Sequence, residues 1–365
     1  MKILHVVGAR PNFIKVAPVI AALREREGVV QILVHTGQHY DINMTDIFFD
    51  QLGIPEPNVN LEVGSESQAA QTANIMVRLE RILLDDRPDL VLVYGDVNST
   101  LAAALVCAKQ LIPVGHIEAG LRSFDRTMPE EINRLLTDQI ADFLFTPSPE
   151  ADENLMREGV PQGKIHLVGN VMIDTLVRLL PHAQERWPSL QFSMKLNGQF
   201  GLVTLHRPSN VDSSSRLSSI ISALNTISND MPLYFPIHPR TRQRLASLLL
   251  NIDKTKLNII DPIGYMDFLA MQNHAMLVIT DSGGIQEETT FLRVPCLTMR
   301  ENTERPITVK LGTNILVGQD MEKLKREVYR ILNGEVKQGS VPPLWDGKTS
   351  ERIAEIVIGW NNRRK

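Results

Sequence analysis

The sequence predicts the α/β class, with two doubly wound parallel sheets following one another in a single chain. Three observations carry this. Short apolar segments alternate with helix-patterned segments along the chain, the rhythm of strand–helix–strand units. Segments such as Leu90 to Tyr94 are apolar at successive positions, so both strand faces must be covered. The length of 365 residues exceeds what one core organises, and the rhythm restarts after a stretch at 180–199 that carries Pro181, Trp187, Pro188 and Gly198.

In chain order, Ile3 to Val7 reads as a strand, Ile14 to Arg26 as a helix, Val30 to His35 as a strand and Asn43 to Leu52 as a helix. A long helix covers Ser67 to Leu84, because Ile75, Leu79, Ile82 and Leu83 fall on one helical face. Strand Leu90 to Tyr94 leads into helix Ser99 to Gln110. Strand Val114 to Ile117, helix Glu130 to Ile140 and strand Phe143 to Thr146 close the first half. The second half opens with strand Gly201 to Leu205 and helix Ser213 to Ser228. Strand Leu233 to Ile237, helix Arg240 to Leu250 and strand Leu257 to Ile260 follow. Helix Met266 to Met271, strand Met276 to Ile279, helix Gly284 to Phe291 and strand Val294 to Met299 complete the second sheet, and Ser350 to Asn361 is a last helix. The break between the halves falls in the region 170–200.

Composition excludes several classes. Lys and Arg number 38 against 42 Asp and Glu, a formal charge of −4, which argues against nucleic acid bound through bulk positive charge. Hydrophobic residues at 43% and charged residues at 22% exclude a disordered or collagen-like chain. Cys107 and Cys296 lie far apart in apolar stretches, as buried thiols of a reducing compartment do. No run reaches the roughly 18 apolar residues of a membrane span. The first residues turn polar too soon for a signal peptide, so a cytoplasmic protein is expected.

The chemistry is bounded first by absence. No two glycines are spaced G-x-G, so a dinucleotide fingerprint is missing, and so is a Walker A loop. No D-x-D pair exists to bridge a metal and a diphosphate. His35 and His39 flank a turn-like Thr-Gly-Gln and read as a loop pair. No metal and no cofactor are expected. What can hold a phosphate is the segment Asp281 to Glu288, where a strand runs into Ser282, Gly283 and Gly284 expose N–H groups and a helix starts. Arg300 and Arg305 follow in the sequence, and Gly8-Ala9-Arg10-Pro11 with Lys15 is a second cationic strand end. Acid–base candidates also stand at strand ends: Asp96, Glu118, His206 and His238, with Glu130 and Glu131 at a helix start. Glu131 suits the first turn of its helix as a plain structural carboxylate. Glu118 precedes Ala119-Gly120 and has no helix to cap.

These residues, taken in order, carry a resemblance. Gly8-Ala9-Arg10-Pro11 with Lys15, Gly95-Asp96, His116 to Arg122, Pro129-Glu130-Glu131 with Asn133-Arg134, Gly169-Asn170 and Asp281 to Glu288 resemble the non-hydrolysing UDP-N-acetylglucosamine 2-epimerases over essentially the whole chain. The resemblance implies the GT-B arrangement, two Rossmann-like domains facing across a cleft. Residues 1–170, with a C-terminal helix 350–365 folding back, would form one domain and 171–349 the UDP-binding other. It implies inversion of C2 in UDP-GlcNAc to give UDP-ManNAc. C2–H is not acidic and no nicotinamide site is present. Elimination of UDP to 2-acetamidoglucal, then re-addition, is the remaining route. Asp96, Glu118, Glu130 and His206 match the catalytic positions. Arg10, His238, Ser282, Gly283, Gly284 and Arg305 match diphosphate and uridine contacts, Glu288 a ribose acceptor, and Phe268 a uracil neighbour. Lys15 and Arg134 match first-domain cations. A homodimer and a role in cell-surface polysaccharide synthesis follow from the same resemblance.

The chain departs from the family members activated by their own substrate. Arg207-Pro208-Ser209-Asn210 follows His206 where those members carry a second arginine and Glu-Asn, and Tyr40-Asp41-Ile42-Asn43 differs too. Little or no activation by UDP-GlcNAc is expected: initial rates should follow a hyperbola, and a sigmoidal curve would contradict this. The sister enzymes acting on a UDP-diacetamido-glucuronate share His35 to His39 and Met128 to Glu131, whereas Thr303-Glu304-Arg305-Pro306 favours the GlcNAc substrate. A GT-B glycosyltransferase would share the fold but need an acceptor surface, for which no basic amphipathic helix is evident.

Overall fold

A computed structural model describes residues 1–37, 51–237, 239–247 and 256–364. The helix expected from Asn43 falls almost wholly outside the described residues, as does His238. The chain divides into two compact units, Met1–Val177 with Pro343–Lys365, and Arg178–Pro342.

The first unit holds seven strands: β1 (Lys2–Val7), β2 (Val30–His35), β3 (Val59–Asn60), β4 (Leu90–Tyr94), β5 (Val114–Ile117), β6 (Phe143–Thr146) and β7 (Ile165–Leu167). They run parallel in the order β3-β2-β1-β4-β5-β6-β7. All five residues of β4 are buried, as a continuous apolar run with helices on both faces requires. On one face Leu4, Val6, Val91, Val93, Val114 and Leu144 pack with Ile75, Leu79 and Leu83 of helix Gln68–Asp85. The order reverses between β1 and β4. The loops that leave their carboxyl ends therefore diverge and open a crevice where ligands bind in such sheets.

The second unit repeats the plan with six parallel strands: β8 (Gly201–Thr204), β9 (Leu233–Pro236), β10 (Leu257–Ile260), β11 (Leu277–Thr280), β12 (Cys296–Thr298) and β13 (Asn314–Leu316). Their order is β10-β9-β8-β11-β12-β13, with the reversal between β8 and β11. Cys107 and Cys296 are buried and unpaired.

The strands expected from the apolar runs lie within two residues of those observed. The proline-bearing stretch at 180–199 differs: up to Ser193 it belongs to one helix, Val171–Ser193. Ile173, Leu176, Leu179 and Ala183 are its buried stripe, and their helical spacing outweighs the breaks that Pro181 and Pro188 signal. Helix Thr349–Arg364 belongs to the first unit. Its first N–H groups, those of Thr349 and Ser350, donate to the Asp174 carboxylate at 3.1 and 2.6 Å. Asp174 thus caps a helix that starts 175 residues later in the chain.

Candidate active site

In the first unit the loop after β1 is tied to the end of β4. The Asn12 side-chain oxygen accepts the N–H groups of Gly8 and Ala9, both at 3.0 Å, and its amide donates to the Tyr94 carbonyl at 2.7 Å. Asn12 thereby spans the reversal point of the sheet. Arg10 begins helix Arg10–Arg24 and is exposed, while Lys15, a turn further, is 5% exposed. Its ammonium forms an ion pair with the Glu118 carboxylate. Glu118 follows β5 directly and sits at φ +73°, left-handed backbone that costs a non-glycine residue roughly 1–2 kcal/mol. The pair leaves no room at the neighbouring turn. Gly95 has φ +64°, and a Cβ there would lie 2.7 Å from Lys15 Nζ and 3.1 Å from Glu118 Oε2.

A buried network fixes the segment that carries Glu118. His116 donates from Nδ1 to Asp138 at 2.7 Å and from Nε2 to the Gly95 carbonyl at 2.8 Å. Arg122 bonds the other Asp138 oxygen at 2.7 Å and the Glu158 carboxylate at 2.6 Å. Burial pushes the Asp138 carboxyl up, but His116 and Arg122 outweigh it and hold the group below its ordinary value. His116 and Arg122 thus hold the turns that present Asp96 and Glu118.

Asp96 follows β4 and is ion-paired with Arg134 on helix Pro129–Ile140. Asn133 donates to the Asp96 carbonyl at 2.9 Å, so consecutive residues grip its backbone and its carboxylate. Arg134 is held in turn by Glu131 at 2.6 Å. Glu131 is not the solvated first-turn carboxylate its position suggests. It is 1% exposed and accepts the Ser123 N–H and hydroxyl and the Phe124 N–H at 2.8–2.9 Å. Burial raises its carboxyl, and these donors with Arg134 bring it below the usual range. Glu130 is exposed on the first turn of the same helix.

In the second unit the reversal point is spanned by Asp281, which is wholly buried. It accepts the His206 N–H at 3.1 Å, the Arg207 N–H at 3.0 Å and the Asn210 amide at 3.0 Å, and its Oδ1 lies 2.9 Å from His206 Nδ1. Burial raises the Asp281 carboxyl, yet His206 and the other donors hold it below its ordinary value. The His206 ring is 60% exposed. Ser282 stands at the N-cap position of helix Gly283–Leu292 without a side-chain capping bond, and the half-buried first turn includes Gly283 and Gly284. Such a start offers N–H groups to an anion. A Cβ at Gly283 would press on the Arg305 guanidinium and displace it. Arg305, 7% exposed, lies 2.8 Å from Glu287 and 2.6 Å from Glu304, which also holds Arg300 at 2.6 Å. Glu288, 1% exposed, accepts the Tyr265 hydroxyl at 2.8 Å. Burial, with Glu287 adding to it, pushes its carboxyl up to about 7. Phe268, on helix Tyr265–His274, packs half-buried against the core that holds Phe200 and Tyr234.

Of the expected residues, the structure brings together Lys15, Asp96, Glu118 and Arg134 in the first unit. In the second it places His206 after β8, Ser282 to Gly284 after β11 and Arg305 in the segment that follows β12. Asn12 and Asp138 were not anticipated, and Asp281 was read only as part of its motif, with no role of its own. Asn12, three residues after Ala9, carries a helix-start signal, whereas nothing local marks Asp138. Among the described residues, no three His, Cys, Asp or Glu side chains are grouped as metal ligands. No helix there is long and apolar enough to cross a membrane.

Two doubly wound units, each gathering charged side chains at the carboxyl ends of its central strands, define a GT-B class α/β protein. The family model for UDP-N-acetylglucosamine 2-epimerase matches residues 21–358, and the chain belongs to that family. It is 45% identical to the UDP-N-acetylglucosamine 2-epimerase of Methanocaldococcus jannaschii, over 98% of this chain and 99% of that protein. It is 43% identical to the UDP-2,3-diacetamido-2,3-dideoxy-D-glucuronate 2-epimerase of Pseudomonas aeruginosa, again over 98% and 99%. The crystal structure of the M. jannaschii UDP-GlcNAc 2-epimerase in complex with UDP-GlcNAc and UDP superposes with a TM-score of 0.90, covering 98% of this chain and 100% of that one.

Proposed function

We propose that the protein inverts C2 of UDP-N-acetylglucosamine to give UDP-N-acetylmannosamine. The observation that carries this is the pair of carboxylate–cation couples, Asp96 with Arg134 and Glu118 with Lys15, on the turns after neighbouring strands β4 and β5. Inversion requires a proton to leave C2 on one face of the ring and return on the other, and so two acid–base groups. The C1–O bond breaks with its electron pair passing to the β-phosphate of UDP. The C2 proton passes to a carboxylate, and C1=C2 forms in 2-acetamidoglucal. Return of a proton to the opposite face of C2, with attack of the UDP oxygen on C1, completes the inversion. Asp96 and Glu118 carry the sugar protons. Glu130 and His206 orient the sugar or share that transfer.

UDP is held by Arg10, His238, the Ser282–Gly284 helix start and Arg305, with Glu288 accepting a ribose hydroxyl and Phe268 beside the uracil. The chain works in the cytoplasm as a homodimer and feeds cell-surface polysaccharide synthesis, the setting that the family resemblance supports. Light scattering on the purified protein reads the dimer.

The identity of 43% to an enzyme named for a diacetamido-glucuronate favours a second reading, that this sugar is the substrate. A uronate adds a carboxylate to the ligand, and the segment Thr303-Glu304-Arg305-Pro306 supports the GlcNAc sugar instead. Incubation with each UDP-sugar in deuterated water, without acceptor, tests both. UDP-ManNAc carrying deuterium at C2 is the expected product. Free sugar, or epimer formed without exchange, would overturn the elimination route, and turnover of the uronate alone would select the second reading.

A further inference from the structure

We infer that Asp281 is a positioning residue for the reaction: its carboxylate fixes the tautomer and direction of the His206 ring, so that proton traffic with an oxygen of the nucleotide sugar passes through Nε2. The inference rests on the reading that His206 serves epimerisation.

The geometry assigns each Asp281 oxygen separately. Oδ2 accepts three donors, the N–H groups of His206 and Arg207 and the Asn210 amide, at 3.0–3.1 Å. Oδ1 shares the His206 N–H at 3.1 Å and lies 2.9 Å from Nδ1 of the ring. Every group facing this carboxylate is a donor, and an ionised carboxylate only accepts. Nδ1 must therefore carry a proton. In the neutral ring Nε2 then holds the lone pair, and in the charged ring it holds a proton it can return. Asp281 is wholly buried while the His206 ring is 60% exposed. Nε2 has no hydrogen-bond partner among the described residues. The carboxylate is also fixed independently of the ring. Asn210 bonds the Met299 carbonyl at 3.1 Å as well, and the backbone of the His206–Arg207 turn supplies the rest. This is the arrangement in which a buried carboxylate orients an imidazole for acid–base work.

The asymmetry makes the Asp281→Asn substitution informative. The amide carbonyl will take the Oδ2 position, where three donors converge, and the NH2 group will then face Nδ1. Two donors cannot meet, so the neutral ring shifts its proton to Nε2 and loses the lone pair on the side where it is needed. Exchanging such a carboxylate for an amide can cost up to about 10⁴-fold in kcat while leaving geometry intact.

The test uses the full-length protein labelled with nitrogen-15 at histidine, with His206 assigned by its loss in His206→Ala. Near pH 8 the wild type is expected to show protonated Nδ1 and unprotonated Nε2, and Asp281→Asn the reverse. For UDP-GlcNAc turnover, Asp281→Asn should lower kcat at least about 100-fold with KM changed by less than about threefold. In the His206→Ala background the same substitution should change kcat by less than about threefold, since a residue acting through another is silent once that residue is gone. An equal loss in both backgrounds, or an unprotonated Nδ1 in the wild type, overturns the inference. The wild-type spectrum decides even if Asp281→Asn fails to fold. Were the wild type to leave UDP-GlcNAc untouched, the functional reading would fall, and the tautomer would still decide what Asp281 does to the ring.

Discussion

Glu118→Gln is expected to lower kcat for UDP-GlcNAc by roughly 10²–10⁴-fold, the range set by loss of a positioned acid–base group. The substitution keeps the shape of the side chain and leaves a carbonyl acceptor for Lys15, so the loss reports the missing proton acceptor. It also leaves a lysine only 5% exposed without its counter-charge, and breaking one side of a buried pair costs up to about 3–5 kcal/mol. The two effects separate in the double variant Lys15→Met with Glu118→Gln, which should regain much of the thermal stability and none of the activity. Near-normal turnover by Glu118→Gln would remove Glu118 from the mechanism. The backbone carries a related mark. A glutamate at φ +73° is held where glycine would sit without strain, a conformation that serves the side chain and not the turn.

Glu288→Gln is expected to stabilise the second unit near pH 8 by as much as about 3 kcal/mol, from a carboxyl pushed up to about 7. In the unfolded chain Glu288 ionises near the ordinary carboxylate value, while in the folded protein it keeps its proton to about 7. Between those values the folded state binds more protons, so stability falls as pH rises through this window and is level above it. Below the unfolded value the contribution vanishes, and the variant and the parent should unfold alike. Thermal melts of both proteins at pH 4.5 and pH 8 check this. A difference equal at the two pH values would show that Glu288 is not the group responsible. Under the proposed function the same variant loses a hydrogen bond from a ribose hydroxyl to a charged acceptor. KM should therefore rise about tenfold or more. A residue that is stabilising to remove and costly to binding has its buried carboxylate for the ligand.

How far the sequence could be read depended on the range of each interaction. Leu90 to Tyr94 and Leu277 to Ile279 announce buried parallel strands because their signal is contiguous. The turns after them announce themselves because Gly95-Asp96 and Asp281-Ser282-Gly283-Gly284 are compact. Helix Val171–Ser193 was obscured because proline is a strong local signal, and the burial that overrides it is tertiary. Glu131 and Asp281 were misjudged or passed over for a similar reason. Glu131 is defined by a loop eight residues upstream and Asp281 by a turn 75 residues upstream. The partners that turn a capping carboxylate into a support for a catalytic group cannot be seen from its neighbours in sequence.

The place of helix Thr349–Arg364 bears on how the molecule is made. Residues 178–342, the whole second unit, are all added to the growing chain before the residues that complete the first unit. Until Thr349 and Ser350 arrive, Asp174 is a carboxylate without its two N–H partners, and the face of helix Arg10–Arg24 that the last helix covers is bare. The unit begun first is thus finished last. The nascent chain carries an open apolar surface through most of its synthesis, the interval in which a chaperone would find it.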